Sequence, residues 1–180
     1  MHSAELSLEA LEHLWANYWV LGQQVDLHRM PTDKALLLVQ QPETRRSLEI
    51  AAWLATQGFF ISAWSLWEYH SRSLCDGMPT QVSDKGKSHV QWVADTFTAN
   101  GKIFAEHAWF TGGNALRNLI AHHATRVVGP GAQRWWEKAQ PVFPELRINP
   151  QQYIMINSDQ ASTLMWKVGE FIRDPGRIAH

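Results

Sequence analysis

Ile50-Ala51-Ala52-Trp53-Leu54-Ala55-Thr56-Gln57-Gly58-Phe59-Phe60-Ile61-Ser62-Ala63-Trp64-Ser65-Leu66-Trp67 carries no charged side chain. Its 18 positions reach the lower edge of what a helix needs to span a bilayer. Thr56, Gln57, Gly58, Ser62 and Ser65 interrupt it, however, and no second run of this kind follows. A helix enclosed by other helices shows the same apolarity all round. The stretch therefore reads as the centre of a helical bundle, and no membrane association is expected.

Helical periods flank this stretch. A first helix is expected from about Leu6 to Leu27, where Leu8, Leu11, Trp15, Tyr18, Trp19 and Gly22 recur at three- and four-residue spacing before Pro31. The second runs from Pro42 or Glu43 to Leu74 and stops at Cys75-Asp76-Gly77-Met78-Pro79. A third is expected from Lys85 to Asn100-Gly101, with Val90, Val93, Ala94 and Phe97 on its apolar stripe. The fourth covers Ile103 to about Arg126, with Gly112-Gly113 as the place for a bend and Gly129-Pro130-Gly131 as its stop. Leu146–Ile148 and Tyr153–Ile156 then flank Asn149-Pro150-Gln151-Gln152, which reads as a short β-hairpin. The last helix begins at Ser158, a residue suited to an N-cap, and ends at Arg173 before Asp174-Pro175-Gly176. The expected fold is all-α: one domain over residues 1–180, an up-and-down bundle of about five helices with a small hairpin before the last.

Composition narrows the function. With 45% hydrophobic and 18% charged residues the chain can bury a real core. Ten tryptophans imply a core of large flat side chains whose indole N–H groups need partners. A net charge of −1 excludes a global basic field, so any nucleic-acid contact must come from a local cluster. A lone cysteine, Cys75, excludes an internal disulfide and suits a reducing cytoplasm. The Met1-His2-Ser3-Ala4-Glu5-Leu6 start lacks a basic region leading into an apolar one, so no secretory leader is expected.

Several chemical signatures fail on inspection. Gly86-Lys87-Ser88 ends like a phosphate-binding loop, but Gln81 stands where its leading glycine belongs. Gly129-Pro130-Gly131 has proline in the wrong place for a dinucleotide loop, and Glu106-His107 lacks a second histidine at zinc-binding spacing. His122 and His123 project about 100° apart on a helix and cannot chelate one metal together. No metal or cofactor is expected.

On a helical wheel of the fourth helix, Ala105, Trp109, Leu116, Leu119, Ile120 and His123 share the core side. Asn114, Arg117, Asn118, Ala121 and His122 lie opposite. Asn118 and His122 are an i, i+4 pair, and the arm of Arg117 can sweep over Ala121 toward them. Histidine moves protons near neutral pH. Arginine offers fixed charge and a donor fork to a phosphoryl group whose charge grows in the transition state. Asparagine can orient the imidazole or bind a phosphate oxygen. Together they suit RNA cleavage by attack of the ribose 2′-hydroxyl on phosphorus.

Arg117-Asn118-Leu119-Ile120-Ala121-His122 resembles the R-x4-6-H motif of the HEPN superfamily (higher eukaryotes and prokaryotes nucleotide-binding), in the form with Asn directly after Arg. Its place late in a bundle, before a short β-element and a closing helix, is similar too. The resemblance implies a metal-independent RNA endonuclease whose active site forms where two copies of this helix meet across a homodimer. It carries Arg117 and His122 over as the catalytic pair and Asn118 as their helper. Glu68, at the end of the uncharged stretch, is a further candidate by position, since the family tends to place a polar residue there. The implied partners are an RNA substrate, a second copy of the chain, and an antitoxin or regulatory protein, in a toxin–antitoxin, stress or antiviral role. Ala124 departs from the pattern of HEPN toxins neutralised by tyrosine modification, which carry tyrosine two residues after the histidine.

Each assignment has a plainer counterpart. Arg117 and His122 fit a solvated helix side, and Glu68 fits an exposed carboxylate closing an apolar face. His123 reads as a hydrogen-bonded core residue. Trp64, Trp67, Trp135 and Trp136 are packing residues before they are base-stacking ones. Arg45, Arg46, Lys85 and Lys87 read as solvated charges that could guide RNA. The rival to the enzyme is a non-catalytic HEPN module binding nucleotide, RNA or a protein partner.

Overall fold

The computed structural model describes residues 5, 8–16, 42–156 and 158–175. Helix α1 covers residues 8–16, α2 Pro42–Asp76, α3 His89–Ala99, α4 His107–His123, α5 Gly129–Ala139 and α6 Ser158–Arg173. The chain is all-α, with one helix more than expected among the described residues. Residues 6, 7 and 17–27 of the expected first helix lie outside the described residues, as do Pro31 and Gly176. Among the described residues no helix is long and apolar enough to cross a membrane.

Helix α2 is not enclosed on all sides. Phe60, Ala63, Trp64, Trp67, Ser71 and Cys75 are buried, whereas Leu54, Gly58, Ser62, Ser65 and Tyr69 form an exposed stripe. The Ser62 and Ser65 hydroxyls donate to the Gly58 and Ile61 carbonyls one turn back, which satisfies them without a charged side chain. An uncharged stretch can thus carry a solvent face. Helix α3 begins at His89 rather than Lys85. Gly86 has φ +77, which no helix accommodates, and the Ser88 side chain accepts from the Gln91 amide as N-cap.

Helix α4 begins at His107, later than Ile103, and runs without interruption through Gly112-Gly113. Those glycines serve close packing rather than a bend: a Cβ on Gly112 would overlap Val142, and one on Gly113 would lie 2.8 Å from Trp64 Cζ3. Ala124, with φ 46 and ψ 43, ends the helix in the left-handed region before Arg126 is reached, and the Thr125 amide donates to the Leu119 carbonyl. Gly129-Pro130-Gly131, read as a stop, instead opens α5. Proline in a first turn gives up no needed donor, and Gly129 at φ +83 makes the bend leading into it. Ala132 and Ala139 are buried, and Trp135 and Trp136 pack partly against the core.

The expected hairpin is absent among the described residues. Tyr153 and Ile154 divide their pairing between two partners: Ile154 bridges Ile148, while Tyr153 bridges Arg126. The Ile154 amide donates to Thr125 and the Val127 amide to Gln152, so the segment is tied to the end of α4 as well as to its own turn. Two isolated bridges result instead of a ladder.

The core is aromatic, as the tryptophan count implied. Trp67, fully buried, stacks on Phe110 with centroids 4.5 Å apart and touches Trp64 at 4.9 Å. Phe104 and Phe171 close the cluster from the α3–α4 connection and from α6. Burying one such indole contributes about 4–6 kcal/mol before entropic costs. The Trp67 Nε1 is nevertheless buried without a partner among the described residues, at a cost of about 1–3 kcal/mol.

Candidate active site

Packing of α2 on α4 begins with Gly113. Because that residue has no side chain, the fully buried Trp64 ring lies against the helix. Trp64 Nε1 then donates to Glu68 Oε1 at 2.8 Å, one turn along α2. The other carboxylate oxygen, Oε2, lies 4.0 Å from Nη2 of Arg117. Arg117 Nη1 donates to Oδ1 of its neighbour Asn118 at 2.9 Å, while its Nε–H is buried without an acceptor. Of the five N–H donors of this guanidinium only one makes a hydrogen bond among the described residues, so the group is held in place yet largely unspent. Water reaches both Arg117 and Glu68, whose side chains are 28% and 30% exposed.

Three of the four expected residues therefore come together: Glu68, Arg117 and Asn118. Glu68 is a bonded, half-buried carboxylate facing α4, not merely an exposed one. Asn118 departs from the wheel, which put it on the open side; it is 9% exposed. Its carbonyl is taken up by Arg117, and among the described residues no hydrogen bond joins it to His122. Arg117 accordingly turns toward α2 rather than over Ala121. His122 is exposed in the last turn of α4 and makes no hydrogen bond among the described residues.

His123 is half-buried, as its place on the apolar side suggested, but among the described residues its ring makes no hydrogen bond. It faces the first turn of α5, where a Cβ on Gly131 would lie 3.8 Å from Cε1 and 3.9 Å from Nε2. Ala105, assigned to the core side, is exposed and precedes the helix.

A polar pair beside Glu68 escaped the sequence reading. Ser71 Oγ lies 2.7 Å from the Trp67 carbonyl and 2.7 Å from His89 Nε2. The hydroxyl has one proton to give and two lone pairs, so the tautomer of His89 decides which of the two donates. Burial lowers the His89 pKa, and this outweighs the nearby Glu68 carboxylate, which raises it. Ser71 shares a helix face with Glu68, three residues on, but no spacing relates it to the first residue of α3.

Among the described residues no group of three His, Cys, Asp or Glu side chains could hold a metal ion. What the cluster offers is a fixed cation beside a carboxylate, with an exposed imidazole farther along the same helix. Comparison with known proteins returns no matching family model, no matching curated protein and no matching solved structure.

Proposed function

We propose that this protein is an RNA endonuclease of HEPN type that works without a metal. The observation that carries the reading is the Arg117 guanidinium, steadied by Glu68 and Asn118 but with most donors free, on the helix whose last turn exposes His122. In this reading a His122 imidazole takes the proton of a ribose 2′-hydroxyl as its oxygen bonds to phosphorus. The P–O5′ bond breaks, and an imidazolium returns a proton to the leaving 5′ oxygen. Arg117 stabilises the added negative charge on the phosphoryl oxygens, and Asn118 holds the guanidinium. The products are a 2′,3′-cyclic phosphate and a 5′-hydroxyl. Two copies of α4 meeting at a two-fold axis would supply both imidazoles, which makes the working form a homodimer. The cytoplasm, rich in RNA and compatible with a single buried thiol, is its place. An antitoxin or regulatory protein would restrain it in a toxin–antitoxin, stress or antiviral role.

The test is single-turnover cleavage of a labelled RNA in EDTA by wild type, Arg117→Ala, His122→Ala and the double variant. Each single change should lower the rate at least ~100-fold, as for lost acid–base or electrostatic assistance. The double should be little worse than the weaker single, because both residues serve one transition state. His122→Ala should keep the wild-type melting temperature, since the side chain is exposed and unbonded. Full activity in that variant would sink the mechanism and favour a binding module instead. Loss of activity in EDTA alone would replace it with metal chemistry.

A further inference from the structure

Helices α1 and α6 enclose a cavity of about 410 Å³ that shares no lining residue with the Arg117–Glu68 site. Its floor is buried: Leu11, Met165 and Gly169. Gly169 keeps that floor low, because a Cβ there would come 3.2 Å from Leu11 Cδ2 and 3.8 Å from Arg173 Nη1. The rim carries four exposed side chains of contrasting chemistry: Glu12, Trp15, Trp166 and Arg173. Trp15 and Trp166 are 43% and 61% exposed, in a protein whose other described indoles are buried or half-buried. Among the described residues neither ring packs on another aromatic, and neither Glu12 nor Arg173 has an ion-pair partner.

Each of these features narrows the ligand. Exposed indoles over an apolar floor favour a flat ring that stacks. A fatty acid would satisfy Arg173 but set hydrocarbon or a second carboxylate against Glu12. Glu12 calls for N–H donors, and guanine presents two side by side, N1–H and the exocyclic N2–H. Adenine and the pyrimidines have no such adjacent pair. The Arg173 fork matches a phosphate. The volume lies within the range of about 300–1,000 Å³ common to small-molecule sites, toward the end a single nucleotide fills.

We propose that this cavity binds a guanine nucleotide, with the base stacked on Trp15 and Trp166, its edge read by Glu12 and its phosphate held by Arg173. The site is independent of the ribonuclease reading and stands whether or not Arg117 and His122 cleave RNA. The nucleotide comes either from the free pool or from a single strand passing over this face.

Titration calorimetry of the full chain distinguishes these outcomes. The ligands are GMP, AMP, guanosine and a short 2′-O-methyl strand with one guanine, which cannot be cleaved by 2′-hydroxyl attack. GMP should bind one to one, with AMP at least about tenfold weaker. Trp166→Ala should weaken GMP about tenfold, as for a lost stacking platform. Glu12→Ala should abolish the preference for GMP over AMP, and Arg173→Ala should weaken GMP but not guanosine. All four side chains are exposed, so these variants keep the fold. A strand that binds more tightly than GMP assigns the pocket to RNA; the opposite order assigns it to the free nucleotide. The proposal is overturned if neither GMP nor the strand binds saturably at millimolar concentration, or if AMP binds as well as GMP. Unchanged GMP affinity in both Trp15→Ala and Trp166→Ala would overturn it equally.

Discussion

The carboxylate of Glu68 stands 4.0 Å from the guanidinium of Arg117, and the same carboxylate takes the indole proton of Trp64. The long helix therefore decides where the arginine of α4 points. With water reaching both charges, the pair contributes at most about 1 kcal/mol to stability. Its importance is positional.

Glu68→Gln should separate position from stability. The amide can still accept from Trp64, so the unfolding free energy should change by less than about 1 kcal/mol. The charge that steadies Arg117 is lost, and RNA cleavage should fall about tenfold, far less than for removal of Arg117 itself. Denaturant titration and single-turnover cleavage on the same sample provide the check. Undiminished cleavage would remove Glu68 from the site.

Two glycine replacements should act in opposite directions. Gly113→Ala pushes a methyl into the buried Trp64 ring and should destabilise the protein by about 1–3 kcal/mol. Gly58→Ala meets no atom within 4 Å on the exposed side of α2 and should stabilise it by about 0.5–1 kcal/mol. Urea unfolding midpoints measure both. A neutral Gly113→Ala would mean that the ring yields and that the α2–α4 spacing is not set by this contact.

The end of α4 should respond to relief of backbone conformation. Ala124 has φ 46, a left-handed value that glycine adopts without a Cβ penalty, and its side chain is exposed. Ala124→Gly should raise stability by up to about 1 kcal/mol. A melting temperature that falls would show that the larger entropy of the unfolded glycine chain outweighs the relief.

Acid should destabilise the fold before the carboxylates titrate. Burial lowers the pKa of His70 and of His89 from the ordinary 6.5. Below pH 6.5 the unfolded chain therefore binds protons that the folded chain refuses. Stability is complete above that pH and falls as pH drops through it toward the folded values. Facing His89 are Glu68, Asp76, Asp84 and Arg72, whose charges partly cancel. The melting temperature should be lower at about pH 5.5 than at about pH 7.5. His70→Gln and His89→Gln should each flatten that difference, and an unchanged slope in both would assign it to other groups.

Much of the helical layout follows from local rules. Ser158–Arg173 forms a helix at the expected bounds, because an apolar stripe and a proline stop both act within a few residues of each other. The length of α2 and the motif's place in α4 follow in the same way. Where several local signals compete, outcomes diverged: Gly129-Pro130-Gly131 reads as a stop but opens α5, while Ala124 ends α4, and nothing within the tripeptide reveals this.

The candidate site divides along the same line. Arg117, Asn118 and His122 are legible because they share one helix, whose period sets the angles between them. That period does not set how wide an arc the neighbours cover. Packing of α2, α3 and α5 around α4 widens the buried arc until it takes in Asn118 and leaves His122 outside. The meeting of Glu68 with Arg117, and of Ser71 with His89, joins residues on separate helices. No local period carries that information; it arises when Trp64 settles against Gly113 and brings α2 onto α4, because only packing of side chains distant in sequence fixes distances between helices.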